Sequence, residues 1–127
     1  GVALSYGKTL DEIVEALAGF SSVPGRLERV CNDRGVYIFV DYAHSDDALR
    51  NVLETLQELK QGKIITVFGC GGDRDTKKRP ELAQIIEFFA HSIYVSCDNP
   101  RNEPLENIFK EIAAGFLFKK DIFFILM

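Results

Sequence analysis

The sequence feature that most constrains the fold is the apolar run Val-Tyr-Ile-Phe-Val at residues 36–40, which gives way at once to Asp41, Tyr42 and His44. A short run of β-branched and aromatic residues predicts a strand buried on both faces, as in parallel sheets. In open α/β sheets, ligands bind beyond the carboxyl ends of the strands. The run therefore predicts a central strand that carries functional side chains at its end.

An amphipathic helix is predicted directly after this strand. Ser45 can cap its N-terminus, and Asp46 and Asp47 suit the positive end of the helix dipole. Gly62 suits the C-terminal cap, so the next strand should begin at Lys63. The apolar face of this helix consists of Ala48, Leu49, Val52, Leu53, Leu56 and Leu59.

Strands and helices alternate along the rest of the chain. Apolar runs at residues 63–68, 92–96 and 122–126 predict strands, and amphipathic segments at residues 80–90 and 104–114 predict the helices between them. Such alternation is typical of βαβ units. The chain is therefore predicted to be an α/β protein with a mostly parallel sheet.

The first third of the chain has a different organisation. Residues 10–20 predict a helix, with Thr9 or Asp11 near its start. A break that contains proline and glycine, at residues 21–26, predicts a linker or a domain boundary. The Asn-Asp-Arg-Gly segment at residues 32–35 predicts a hairpin or a loop before the central strand.

Composition excludes several classes of protein. The chain has 127 residues, 46% of them apolar and 27% charged, as expected for about one globular domain. Its net charge of −4 argues against a nucleic-acid-binding surface. The three cysteines lack metal-site spacing, so reduced thiols in a cytoplasmic protein are expected. A membrane span would need roughly 18 consecutive apolar residues, and none is found. Both termini, Gly1 and the apolar end, suggest a piece of a longer protein.

A glycine-rich segment at residues 69–72 follows the second predicted strand and leads into Arg74. Glycines at the end of a strand let backbone N–H groups approach an anionic ligand, and the cations at residues 77–79 favour such a ligand. The dinucleotide fingerprint G-x-G-x-x-G would need a glycine where Arg74 stands. A purely structural glycine turn is the alternative interpretation.

A second polar segment, Asp98-Asn99-Pro100-Arg101, follows the third predicted strand. Proline favours an extended or turn conformation, which could hold Asn99 and Arg101 outward together. A simple surface turn is the alternative. Because right-handed crossovers bring the carboxyl ends of parallel strands to one edge, all three polar segments should lie at that edge.

Five motifs resemble the C-terminal domain of the Mur ligase family, in the right order and over about residues 1–115. More narrowly, they resemble the members that add meso-diaminopimelate to UDP-N-acetylmuramoyl-L-alanyl-D-glutamate in peptidoglycan synthesis. The motifs are Val23-Pro24-Gly25-Arg26, Asp41-Tyr42-Ala43-His44, the segment Phe-Gly-Cys-Gly-Gly-Asp-Arg-Asp at residues 68–75, Lys78-Arg79-Pro80 and Asp98-Asn99-Pro100-Arg101.

The resemblance implies a three-domain, ATP-dependent cytoplasmic ligase. Residues 1–20 would be the last helix of the central ATPase domain, and residues 21–127 a truncated, Rossmann-like C-terminal domain whose open sheet is flanked by helices. The partners would be ATP, the UDP-muramoyl dipeptide and meso-diaminopimelate. Magnesium ligands and the phosphate-binding loop are expected in the central domain and not in this chain. Alone, the chain should therefore not catalyse ligation.

The resemblance also implies two groups of site residues. For the nucleotide, these are Arg26, Asp41, Tyr42 and His44; for diaminopimelate, they are Arg74, Asp98, Asn99, Pro100 and Arg101. Diaminopimelate differs from lysine by a second carboxylate, which a guanidinium can hold through two parallel hydrogen bonds. The guanidinium of Arg101 therefore favours diaminopimelate.

Two alternatives remain open at the level of the sequence. A sibling ligase that adds lysine or glutamate would use the same scaffold, and Arg101 is the residue that discriminates against it. An inactive, truncated or degenerate remnant is the other alternative, because residues 116–127 fit the family poorly and its later Gly-Lys-Gly-His-Glu segment is missing.

Overall fold

A computed structural model describes residues 1–20, 23–118 and 121–125. The chain forms two compact units, residues 1–42 and residues 43–127. Within the described ranges, no helix combines the length and the apolar character that crossing a membrane requires.

The first unit contains two helices and two short strands: α1 (Val2–Ser5), α2 (Leu10–Ala18), β1 (Glu28–Val30) and β2 (Ile38–Val40). A reciprocal cap starts α2, as the sequence predicted at Thr9. The Thr9 hydroxyl accepts a hydrogen bond from the Glu12 N–H (3.3 Å), and the Glu12 carboxylate accepts one from the Thr9 N–H (2.8 Å). This second bond, with help from Lys8, lowers the pKa of Glu12.

Strands β1 and β2 form an antiparallel hairpin in which Val30 pairs with Ile38. The Asn32 side-chain amide holds the turn, since it donates to the carbonyl oxygens of Val30 (3.3 Å) and Val36 (2.9 Å). The predicted hairpin at residues 32–35 is thus confirmed.

The predicted role of the 36–40 run as a buried central strand of the parallel sheet is wrong. Its ordered part pairs antiparallel with β1, and Ile38 and Val40 are exposed. The reason is local: the Asn32 turn, with Gly35 in the left-handed region (φ 69°), places a partner strand within ten residues. An apolar run predicts a strand but does not specify which strand it pairs with.

The second unit alternates helices with parallel strands, which confirms the predicted α/β fold. Strand β4 is central in the sheet order β3-β4-β5, and both pairings are parallel. The elements are α3 (Asp46–Leu59), β3 (Ile65–Phe68), α4 (Lys78–Phe89), β4 (Ser92–Ser96), α5 (Leu105–Ala113) and β5 (Asp121–Ile125).

Helix α3 begins as predicted and ends earlier than predicted. The Ser45 hydroxyl accepts a hydrogen bond from the Ala48 N–H (3.4 Å), and Asp46 and Asp47 occupy the first turn. The C-terminal cap is Lys60 in an extended conformation, so the prediction of a cap at Gly62 is wrong. The chain leaves α3 through an ordinary extended residue and needs no glycine there.

The hydrophobic core is built around α4, which packs against both α3 and α5. One fully buried carboxylate supports it: Glu87 accepts hydrogen bonds from the N–H groups of Leu117 (2.7 Å) and Phe118 (2.8 Å), and so holds the segment that leads to β5. The buried apolar residues are Leu53, Ile64, Cys70, Ala83, Ile85, Ile86, Phe89, Ala90, Ile93, Val95, Ile108 and Ile112.

The core assignment predicts the effect of two matched isoleucine truncations. Ile93 is 0% exposed and Ile65 is 61% exposed, although both lie on strands of the same sheet. Ile93→Ala should lower the free energy of unfolding by about 2–5 kcal/mol, because it removes buried methyl groups and leaves a cavity. Ile65→Ala should lower it much less. Urea denaturation followed by circular dichroism measures both, and equal losses would contradict the assignment.

Candidate functional site

Two loops meet at the carboxyl ends of adjacent strands: residues 69–75 after β3 and residues 97–103 after β4. We refer to them together as the two-loop surface. The Gly72 N–H donates to the Asn99 carbonyl oxygen (2.8 Å), and the Arg101 guanidinium donates through Nη1 to the Gly72 carbonyl oxygen. The structure therefore brings the loop of Arg74 together with the loop of Asn99 and Arg101.

Asp73 adds a second set of links between the two loops. Its N–H donates to the Glu103 carboxylate (3.1 Å), and its own carboxylate accepts from the backbone and side-chain N–H groups of Asn102 (both 3.3 Å). Asp73 and Arg101 both have φ of 50°, a left-handed conformation that non-glycine residues rarely adopt. The hydrogen bonds between the loops hold both residues in it.

The glycines allow the loops to approach closely. A Cβ atom on Gly69 would lie 2.5 Å from the Ser96 carbonyl oxygen, and one on Gly72 would overlap the Pro100 carbonyl oxygen. The Gly72 N–H is also already bonded to Asn99. Of the two interpretations left open by the sequence, the structural one therefore holds for Gly69 and Gly72.

Arg79 is the residue that the sequence interpretation placed wrongly. The sequence grouped it with Lys77 and Lys78 as a cation that could face an anionic ligand. In the structure Arg79 is buried, with only 1% of its surface exposed. Its Nη1 donates to Glu103 (2.6 Å) and Glu111 (2.7 Å), and its Nη2 donates to Glu103 (2.6 Å) and the Gly71 carbonyl oxygen (2.9 Å). Its charge is therefore neutralised inside the protein.

These bonds shift the ionisation of both partners. Hydrogen bonding to Glu103, and then to Glu111, raises the pKa of Arg79 despite the opposing effect of burial. The same bond from Arg79 lowers the pKa of Glu103 below its ordinary value of 4.5. Burial raises the pKa of the neighbouring Cys70 thiol to about 11, with the Arg79 charge opposing it. Cys70 is therefore a protonated and inert core residue at neutral pH.

Arg101 is exposed and yet fixed in direction. The Asn99 side-chain oxygen accepts from the Arg101 N–H (3.2 Å), and Nη1 is bonded to Gly72. Its Nε and Nη2 have no hydrogen-bond partner among the residues that the structure describes. The guanidinium of this exposed residue is thus anchored through one nitrogen, which leaves its other edge available to a ligand.

Of the other residues predicted at this surface, Arg74, Asp98 and Asn99 are exposed and Pro100 is half-buried. The side chains of Arg74 and Asp98 form no hydrogen bond with any residue of the described ranges. The backbone of Asp98 does take part in one, because its carbonyl oxygen accepts from the Cys97 thiol (2.8 Å). Pro100 lies at the start of the turn that follows Asn99, and its carbonyl oxygen accepts a hydrogen bond from the Glu103 N–H (3.0 Å). Two cations and one carboxylate are therefore available on the two-loop surface.

Three of the four residues predicted for the nucleotide lie together at the base of the hairpin. The Arg26 guanidinium lies over the Tyr42 ring, 5.0 Å from its centroid. The Asp41 carboxylate is partly buried and accepts a hydrogen bond from the N–H of Leu27 (2.7 Å). The backbone of Leu27 has a left-handed conformation, with φ of 46°. His44, the fourth, is an exposed residue of the second unit.

Sequence reasoning missed the ionic cluster in which the buried Arg79 meets the partly exposed carboxylates of Glu103 and Glu111. One signal could have found it. A cation in the first turn of a helix opposes the helix dipole, so Arg79 at the start of α4 needs acidic partners. The partners lie 24 and 32 residues away, however, and no local pattern identifies them.

A parallel α/β unit with polar loops at one edge of its sheet is the architecture of a ligand-binding domain. A family model described as "Mur ligase, glutamate ligase domain" matches residues 25–125. The chain therefore belongs to the Mur ligase family, as its motifs predicted.

Individual relatives show which members of the family the chain is most similar to in sequence and structure among those compared. The UDP-N-acetylmuramoyl-L-alanyl-D-glutamate–2,6-diaminopimelate ligase of Geobacter sulfurreducens is 54% identical over 117 residues, which are 92% of this chain and 23% of that protein. A solved structure of a ligase with the same name has a TM-score of 0.76 at 36% identity, over 98% of this chain and 26% of its own. The chain thus spans about a quarter of the length of these relatives.

A more distant neighbour shares the fold alone. The folylpolyglutamate synthase of Mycobacterium tuberculosis, solved in complex with ADP and AMPPCP, has a TM-score of 0.69 at 22% identity. The match covers 98% of this chain and 28% of that one.

The close approach of the loops predicts that Gly72 cannot carry a side chain. Gly72→Ala should displace residues 97–103 and lower the free energy of unfolding by about 1–3 kcal/mol, as overpacking typically does. Gly62→Ala is the matched control, because nothing lies within 4 Å of its added methyl group. Amide chemical shifts and urea denaturation measure both effects. Unchanged shifts in residues 97–103 would show that the loops are not in contact.

The lowered pKa of Glu103 predicts a loss of stability in acid. Because the folded protein holds this carboxylate ionised more strongly than the unfolded chain does, the stabilisation is complete above pH 4.5. It is lost as the pH falls below 4.5. Glu103→Gln should therefore be less stable at neutral pH and show a shallower decline in acid. Glu106→Gln, at an exposed position of α5, should keep the wild-type decline when unfolding is followed against pH.

Proposed function

We propose that this chain is part of an ATP-dependent ligase that adds meso-diaminopimelate to UDP-N-acetylmuramoyl-L-alanyl-D-glutamate, and that the two-loop surface binds diaminopimelate. The names of the relatives support the reaction. The observation that supports the site is the anchored guanidinium of Arg101, which faces outward with one edge open.

The chemistry of the surface suits the far end of diaminopimelate, which carries a carboxylate and an ammonium group. The open Nε and Nη2 edge of Arg101 can hold a carboxylate through two parallel, charge-assisted hydrogen bonds. Arg74 supplies a second exposed positive charge. Asp98, also exposed, supplies a carboxylate that can accept from the ammonium group.

Asn99 and Pro100 contribute through the shape of the loop. Asn99 bonds both to the backbone of Arg101 and, through its carbonyl oxygen, to Gly72. Pro100 restricts the backbone just before Arg101, because its ring fixes φ. Both residues therefore keep the Arg101 guanidinium in a set direction and lower the cost of ordering it on binding.

The nucleotide is proposed to bind near Arg26, Asp41 and Tyr42 of the first unit; His44 is a further nucleotide residue that the family resemblance implies. A planar guanidinium that lies over an aromatic ring suits a phosphate or a base, and a carboxylate suits the hydroxyl groups of a ribose. Within the described ranges, no group of three or more His, Cys, Asp or Glu side chains could hold a metal ion. We propose, from the family resemblance, that the magnesium that accompanies ATP is held by ligands in the central domain.

In the proposed reaction, ATP transfers its γ-phosphate to the glutamate side-chain carboxylate and leaves as ADP. The amine of diaminopimelate then attacks the acyl carbon, and inorganic phosphate leaves as the amide bond forms. The residues of this chain bind and orient the incoming amine. Holding a nucleophile in position removes much of the entropic cost of a bimolecular step. We assign residues 1–20 to the end of the central domain, residues 21–127 to the C-terminal domain and the enzyme to the cytoplasm, where ATP and the UDP-linked precursor occur.

The proposal predicts a selective effect of Arg101→Ala. The 117 aligned residues can replace their counterpart in the Geobacter sulfurreducens ligase, and the chimera can be assayed with each substrate. Arg101→Ala should lower kcat/KM for diaminopimelate by roughly 10²-fold, because a hydrogen-bonded charge pair is lost. The KM for ATP should hardly change.

Arg34→Ala is the matched control, since Arg34 is an exposed arginine of the hairpin turn. It should leave both kinetic constants near the wild-type values. Undiminished use of diaminopimelate by the Arg101→Ala chimera would refute the site. A wild-type chimera that prefers lysine would refute the proposed substrate.

A further inference from the structure

Arg79 connects three separate parts of the second unit. Its guanidinium bonds to the Gly71 carbonyl oxygen in the first loop, to Glu103 in the second loop and to Glu111 on α5. With 1% of its surface exposed, it cannot contact a ligand on the two-loop surface directly. Any influence on binding must act through the residues that it holds.

Glu103 carries that influence to the loop of Arg101. Arg79 occupies both of its carboxylate oxygens, one of which also accepts from the Asp73 N–H (3.1 Å). The Glu103 N–H closes the turn by donating to the Pro100 carbonyl oxygen (3.0 Å). Glu103 therefore fixes the end of the turn in which Arg101 lies.

Arg79 also fixes the support on which Arg101 rests. Arg101 donates to the Gly72 carbonyl oxygen, and the preceding carbonyl, that of Gly71, is bonded to Arg79. The left-handed backbone of Arg101 costs on the order of 1 kcal/mol or more and persists only where neighbours impose it. Arg79 thus holds both the turn that carries Arg101 and the glycine loop whose carbonyl oxygen supports the Arg101 side chain.

We propose that Arg79 is a positioning residue for diaminopimelate recognition: by clamping Glu103 and Gly71, it sets the direction of the Arg101 guanidinium. This inference rests on the proposed function for its ligand. It assigns a role in specificity to a side chain that touches no substrate.

A purely structural role for Arg79 makes a different prediction. Breaking a buried ion pair destabilises a protein whatever its function, because a buried charge is left without a partner. A structural residue would therefore lower stability throughout the second unit. A positioning residue changes the two loops and the affinity for diaminopimelate while the core keeps its native packing.

The test uses the 127-residue chain with three variants and two readouts. Arg79→Lys keeps the charge but cannot hold two carboxylate oxygens and a carbonyl in a fixed fork. Glu111→Gln is milder, since it removes one ionic partner and leaves the Arg79–Glu103 pair intact. Lys110→Ala, at an exposed cation of α5, is the control. Amide chemical shifts and relaxation rates measure the conformation and the mobility of the two loops. The same signals from Ile93 and Ile108 measure whether the core keeps its packing. Titration with meso-diaminopimelate, and with lysine for comparison, reports binding.

We expect Arg79→Lys to change the chemical shifts of residues 97–103 and to increase their mobility, while the core signals stay unchanged. Diaminopimelate binding should weaken roughly tenfold or more, which corresponds to the loss of about one charge-assisted hydrogen bond. The preference for diaminopimelate over lysine should shrink in parallel. Glu111→Gln should give a smaller change of the same kind, and Lys110→Ala should give none.

Native loop signals in both Arg79→Lys and Glu111→Gln would overturn the proposal. If Arg79→Lys unfolds the chain, Glu111→Gln decides: a shift confined to the loops supports positioning, and native loops or a change spread evenly through the core overturn it. A wild-type chain that binds no diaminopimelate contradicts the proposed function. The loop signals then still decide whether Arg79 positions Arg101.

Discussion

The ion pair between Arg79 and Glu103 is the interaction on which the candidate site depends. A guanidinium inside a protein must have partners, because an unpaired buried charge costs several kcal/mol. The need to satisfy Arg79 therefore dictates where Glu103 lies, and Glu103 in turn dictates where the chain turns after β4. An electrostatic requirement of the interior becomes a geometric constraint on the surface.

Backbone strain explains why such a constraint is needed. Asp73 and Arg101 lie on different loops and share the same rare left-handed conformation. An isolated loop would relax to ordinary dihedral angles, whereas these two loops are joined by hydrogen bonds at Gly72 and Asn102. Strained residues that persist under such restraint concentrate at binding sites. Here the strain lies on the arginine best placed to meet a ligand.

The sequence predicted what depends on neighbours along the chain and missed what depends on distant ones. Helix starts at Thr9 and Ser45, and the alternation that builds the parallel sheet, were predictable because each is a local pattern. The pairing of the 36–40 run was not, because an apolar run does not name its partner strand. Arg79 looked like one of three surface cations for the same reason. Its acidic partners are more than twenty residues away, and burial alone distinguishes it from Lys78.

The contrast between the two arginines shows how this fold can recognise a small charged ligand. A free surface arginine loses considerable side-chain entropy when it binds. The guanidinium of Arg79 is instead buried, with Nη1 and Nη2 hydrogen-bonded inside the protein and Nε without a partner among the described residues, so it is out of reach of a surface ligand. Arg101 lies between these limits, since Gly72 holds one of its nitrogens while its other edge stays open. Arg79 supplies the rigidity that makes this possible. In the proposed site, lysine, which lacks the second carboxylate, would leave the Nε and Nη2 edge of Arg101 desolvated and unpaired, so we expect the discrimination between the two amino acids to come from a group that is already in place.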